Sequence, residues 1–117
     1  MAGAPPASTA AALGDLATRS AKVAAVAAAH AADVDALARF PAEAFGAVKE
    51  QRLLGLMVPK SLGGEGLTLG EVADVCYRLG QACSSSGMIF AMHQIKVACL
   101  VRHGTGSAGL QRLLRRL

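Results

Sequence analysis

Four glutamates, Glu43, Glu50, Glu65 and Glu71, and His30 are the residues whose types could abstract or relay a proton. Such work needs a group held away from water with its pKa moved toward neutrality. The pattern around these five gives no reason for that. Glu43 and Glu50 fall on the polar side of a helical stretch, and Glu65 sits in the turn Gly63-Gly64-Glu65-Gly66. Glu71 follows Thr68 by three residues, the spacing of a capping box in which hydroxyl and carboxylate satisfy each other's backbone amides. His30 lies on an apolar helical seam with Val34 one turn on and no carboxylate at helical spacing on its N-terminal side, which reads as a structural histidine. No catalytic residue is expected.

Other reactive types lead to the same place. Ser84-Ser85-Ser86 could hold a phosphate or supply a nucleophile, but a helix cap needs only one hydroxyl and explains the run. The glycine turn lacks G-x-G-x-x-G spacing and a preceding strand, so no cofactor-binding residue is expected. Cys76, Cys83 and Cys99 are odd in number, with gaps of seven and sixteen, which fits neither a disulfide framework nor a zinc set. Cys99 and His103 alone are a weak metal pair, and no metal site is expected. Buried free thiols in a reducing, cytoplasmic compartment are the reading.

The elements that would position these groups are helical. The chain of 117 residues is 53% hydrophobic but only 3% aromatic, so its core must come from Ala, Leu, Val and Met, a composition suited to close-packed helices. We expect an all-α, up-and-down bundle of about five helices. Residues 1–7 read as a disordered lead and 8–117 as the helical domain. The first helix is capped by Ser8 or Thr9 and reaches about Ala38, with Leu13, Leu16, Ser20, Val23, Ala27, His30, Val34 and Leu37 on one stripe. Phe40-Pro41 opens a second, with Phe45, Val48 and Leu53 apolar and Gly55 at its end. A third runs from Thr68 or Leu69 to Ala82 with Leu69, Val72, Ala73, Cys76 and Leu79 inward. The serines cap a fourth, Gly87 to Val101, apolar nearly all round and so expected between neighbours. A fifth starts within Thr105 to Ala108, with Leu110, Leu113, Leu114 and Leu117 inward.

Arg52 to Leu67 stands apart. Leu53, Leu54, Leu56, Met57 and Val58 precede Pro59, and Gly63, Gly64 and Gly66 follow, which predicts a shaped loop between helices. The net charge of +4 owes part to Arg112, Arg115 and Arg116, without interleaved aromatics, so nucleic acid is not an expected partner. The longest apolar window, Met88 to Val101, is cut by His93, Gln94 and Lys96, so no membrane span is expected.

Gly55, Leu56, Val58, Pro59, Gly63, Gly64, Gly66 and Leu67, after Phe40-Pro41, resemble the G-L-x-V-P-x-x-x-G-G-x-G-L stretch in the N-terminal domain of the acyl-CoA dehydrogenase family. Arg102-His103-Gly104-Thr105 is similar to the family's R-x-G-T turn, and the chain departs from it at Gly106, Ser107 and Gly109. The resemblance covers Leu37 to Leu117 and, more weakly, the first helix. It implies the helical N-terminal domain of a flavoenzyme of lipid metabolism, in which FAD and an acyl-CoA substrate lie between this domain, a middle β-domain and a C-terminal helical domain. It places the acyl-pocket wall at Ala91, Met92 and Ile95. The flavin loop, flavin-binding strands and catalytic glutamate of the family have no counterpart here, so this fragment is expected to bind no FAD alone. The whole enzyme would be a homo-oligomer. A reduced-flavin-dependent monooxygenase of the same superfamily, and a non-enzymatic helical module that associates through its uncovered apolar surface, are the alternative readings.

Overall fold

The computed structural model describes residues 14–117. Among them are five helices and no strand: α1 (Leu16–Leu37), α2 (Ala42–Glu50), α3 (Leu69–Ala82), α4 (Ser84–His103) and α5 (Ala108–Arg115), with a 3₁₀ turn at Lys60–Leu62. The all-α bundle expected above is the architecture found. Helix α1 packs on α2 and α3, α3 on α4, and α4 on α5, so each helix lies against its neighbour in the chain or the next but one.

The core begins with α1, where Val23, Ala27 and Val34 are buried. Val23 joins Val48 of α2, Leu53 and Leu56 of the loop, Val72, Val75 and Leu79 of α3, and Phe90 of α4. Phe90 is wholly inaccessible, and each such side chain contributes about 1.5–3 kcal/mol relative to exposure. A smaller cluster of Val58, Val97 and Leu114 ties α5 to the loop and to α4.

Several expected boundaries move. The helix that reaches Leu37 starts at Leu16, where the Asp15 carboxylate accepts from the Thr18 amide at 2.7 Å. The expected caps Ser8 and Thr9, Leu13 and the 1–7 lead lie outside the described residues. Leu37, placed on the seam, is 64% exposed, because Ala38 turns into the left-handed region and ends the packed face. α2 stops at Glu50 rather than Gly55, since Arg52 takes a left-handed backbone and Leu53 N–H closes on the Val48 carbonyl. In α3 the buried set is Val72, Val75 and Leu79, while Leu69 and Ala73 are exposed. The Thr68–Glu71 capping box is formed as expected. The three serines lie inside the first turn of α4, with Cys83 at the cap position. Leu113 is exposed while Leu114 is buried, and Cys99 is exposed where a buried thiol was expected.

The loop is shaped by its own backbone. Gly66 N–H donates to the Val58 carbonyl at 2.8 Å, Leu67 N–H to Leu56 at 2.9 Å and Gly64 N–H to Pro59 at 3.1 Å. A Cβ on Gly64 would sit 2.1 Å from the Val58 oxygen, so only glycine fits. We expect Gly64→Ala to cost about 3 kcal/mol or more through forced backbone displacement, whereas Lys60→Ala, on the exposed side, should stay within about 0.5 kcal/mol. Thermal melts of the two variants make the comparison; equal midpoints would refute a shaped loop.

Arg19 anchors that loop to the rest of the fold. Its guanidinium, 3% exposed, makes a two-pronged pair with Glu65, Nη1 to Oε2 at 2.9 Å and Nη2 to Oε1 at 2.6 Å, and Nη1 also donates to the Gln51 carbonyl at 3.1 Å. Glu65→Ala leaves this buried cation unpaired and should cost on the order of 3 kcal/mol. The double variant Arg19→Met/Glu65→Leu should regain much of that loss, because an apolar pair of similar volume needs no desolvated charge. Urea titrations of the single and double variants would show it; a double variant as unstable as Glu65→Ala contradicts the account.

Candidate functional site

Helix α4 is inverted relative to an ordinary surface helix. Its inner face carries Ser86, Gly87, Phe90, Gln94 and Val97, two of them polar and one without a side chain. Its outer face carries Met88, Met92 and Ile95, which are 63%, 54% and 62% exposed, and continues to exposed Cys99. These four stand at i, i+4, i+7 and i+11, the spacing of a single helical stripe. The expectation that α4 is enclosed on all sides therefore fails. A helix apolar on its free side is one whose neighbours among the described residues cover only half of it.

The polar inner face has a local cause. The stretch after α2 is irregular, so its carbonyls have no helical partners and must be satisfied from elsewhere. Gln94, 2% exposed, donates Nε2–H to the Leu53 carbonyl at 2.9 Å, and His93 Nε2 donates to the Leu54 carbonyl at 2.9 Å. Gly87 allows close helix contact, since a Cβ there would lie 2.6 Å from the Gly80 Cα. With these contacts made on the inside, Met88, Met92 and Ile95 are forced outward by helical periodicity.

Of the three residues placed at the acyl wall, Met92 and Ile95 lie on this outer stripe and Ala91 is half-buried on its flank. The same stripe includes Met88, which the sequence reading did not single out. Its spacing of four from Met92 was the available signal. Unbranched methionine side chains adapt to irregular or mobile apolar partners.

The carboxylates are otherwise engaged. Glu65 is bound to Arg19. Glu43 is held below the usual carboxylate range by hydrogen bonds from the Arg39 guanidinium, which also pairs with Asp33. Glu71 is lowered by the Thr68 amide and hydroxyl, and Glu50 is exposed on α2. A general base working near neutral pH needs the opposite shift. His30, which lacks a carboxylate within its own helix, is brought 3.6 Å from Glu43 of α2. Burial raises the pKa of the Cys76 thiol. Among the described residues no three His, Cys, Asp or Glu side chains gather as a metal set, and no helix is long and apolar enough to cross a membrane.

Comparison with known proteins gives this arrangement its context. Residues 13–116 match the family described as acyl-CoA dehydrogenase, N-terminal domain, and the chain belongs to that family. It is 29% identical over 77 residues to 3-sulfinopropanoyl-CoA desulfinase of Paraburkholderia xenovorans, covering 65% of this chain and 20% of that protein. It is 39% identical over 93 residues to L-evernosamine nitrososynthase of a Micromonospora species, covering 74% of this chain and 22% of that one. Over 76 residues it is 32% identical to the probable acyl-CoA dehydrogenase fadE25 of Mycobacterium leprae, covering 65% and 20%. The chain thus spans about a fifth of the length of these relatives. No solved structure gives a significant match.

The exposed stripe makes a direct prediction about the isolated chain. It should bind an apolar dye or self-associate, because contiguous apolar surface of this kind marks a partner site. Met92→Asp with Ile95→Lys should abolish dye binding while changing stability by about 0.5 kcal/mol or less, as for ordinary surface positions. Phe90→Ala, on the inner face, should cost about 3–5 kcal/mol. Dye fluorescence and sedimentation alongside melts test this; a double variant that unfolds would place the stripe in the core.

Proposed function

We propose that this chain acts as the N-terminal helical domain of a flavin-dependent oxidoreductase that works on acyl-CoA thioesters, with Ala91, Met92 and Ile95 forming one wall of the acyl pocket. The observation that carries the reading is the inverted helix α4. Alkyl and thioether side chains turned outward by a helix whose inner face is tied to the loop through Gln94 and His93 suit a saturated acyl chain, which offers no hydrogen bonds and is recognised by shape and exclusion of water.

The described residues do not themselves fit a flavin. The outer stripe offers no donor or acceptor for the ring's polar edge, and the amides of Gly63, Gly64 and Gly66 are not free to cradle a pyrophosphate, because they already donate to the carbonyls of Lys60, Pro59 and Val58. FAD and the catalytic base would come from further domains, such as the longer relatives have room for. The part of this chain is to hold the acyl group in place and keep water from it, which is a matter of preorganised geometry. Cytoplasmic location and homo-oligomerisation belong to the same reading of the whole enzyme.

A second reading has its own observation. The relative at 39% identity is named a nitrososynthase, a word for making a nitroso group, and it covers more of this chain than the CoA-named desulfinase does. Oxygenation by a reduced flavin would use the same helical domain with a different substrate against α4.

Grafting this chain in place of the N-terminal domain of a family acyl-CoA dehydrogenase tests both readings. We expect bleaching of the flavin by an acyl-CoA under anaerobic conditions, and Ile95→Trp should shift preference to shorter acyl chains by about tenfold per two or so excluded methylenes. The ungrafted chain should take up no FAD in a flavin titration. Unchanged chain-length preference in the Trp variant would remove Ile95 from the pocket. Oxygen-dependent turnover of an amine, without bleaching by any acyl-CoA, would favour the second reading.

A further inference from the structure

We propose that the depression between the C-terminal ends of α2 and α5 is an anion site that takes a phosphate or pyrophosphate group through Lys49, Arg52 and Arg116. The depression has a volume of about 280 Å³ and is lined by these three cations with Leu54 and Leu117. That is close to the lower end, about 300 Å³, of pockets that hold drug-sized ligands, and so suits one or two phosphate groups rather than a long polyanion. None of the three cations makes an ion pair among the described residues.

Attraction of cations to helix C-termini accounts for Lys49 in the last turn of α2 and for Arg116 after α5. The same attraction reaches Arg52 but does not account for its backbone. That residue has φ of 57°, a left-handed backbone that L side chains rarely adopt. It stands just past the end of α2, with its amide on the Lys49 carbonyl and the Leu53 amide on Val48, the place where glycine ordinarily terminates a helix. An arginine there is disfavoured by its backbone and has no carboxylate partner among the described residues to compensate. It lines the depression together with Lys49 and Arg116, and guanidinium and ammonium groups are the donors that bind phosphate oxygens. With no aromatic side chain in the lining, base stacking is absent, which favours a small phosphate over a single-stranded nucleic acid.

Arg52→Gly separates binding from folding because the two effects have opposite signs. In melts of the 117-residue chain, millimolar pyrophosphate should raise the melting temperature of the wild type by several degrees, and potassium chloride at matched ionic strength should not. Without anion, Arg52→Gly should melt higher than wild type, its backbone relieved, and it should lose most of the pyrophosphate shift. Lys49→Ala and Arg116→Ala, whose backbone conformations are ordinary, should each lose part of the shift and carry the comparison independently of any change in folding. A shift reproduced by chloride, or one that Arg52→Gly keeps in full, would overturn the proposal. Retention of duplex DNA more tightly than pyrophosphate would assign the cluster to nucleic acid and overturn it equally.

Discussion

The ion pair between Arg19 and Glu65 is the constraint around which the domain is arranged. It joins the first turn of α1 to the glycine loop 46 residues away and, through the Gln51 carbonyl, to the end of α2. A guanidinium this far from water is tolerable only with its charge matched; here Nη1 and Nη2 are directed at Glu65 and the Gln51 carbonyl, while Nε has no partner among the described residues. The glycines make the match possible: the backbone must double back tightly after Pro59 for Glu65 to reach inward, and Gly64 lies where any side chain would strike the Val58 carbonyl. The loop is thus held from one side by charge and shaped from within by its own hydrogen bonds.

From the other side the loop is held by α4. Gln94 and His93 take up the Leu53 and Leu54 carbonyls that the break after α2 leaves without helical partners. This demand for donors puts polar residues on the buried face of α4, and helical geometry then sends Met88, Met92 and Ile95 outward. The helix bearing the apolar stripe is thus fixed by specific contacts as well as by apolar packing. The relatives carry different reaction names, a desulfinase, a nitrososynthase and an acyl-CoA dehydrogenase, over a shared N-terminal domain.

Local patterns in the amino-acid sequence determined a good deal here. The Thr68–Glu71 capping box and the opening of α2 at Phe40-Pro41 each act within a few residues, and each is found as read. The glycine loop was legible because positive φ and close backbone approach select glycine whatever surrounds them. Ala91, Met92 and Ile95 were placed by resemblance, since periodicity shows that a helix has an apolar stripe without saying whether that stripe faces the core, another domain or a ligand.

Only the tertiary structure decided the rest. Arg19, three residues inside a helix of alanines, gave no local sign of burial, because its partner lies 46 positions on. Leu69 and Ala73 share the apolar character of Val72 and Val75, yet the direction from which α1 and α4 approach α3 buries one pair and leaves the other in solvent. The same holds for the inversion of α4, which follows from carbonyls orphaned some forty residues earlier. Short-range physics sets where helices begin and turn; which side of each is inside depends on contacts that form only when distant segments meet.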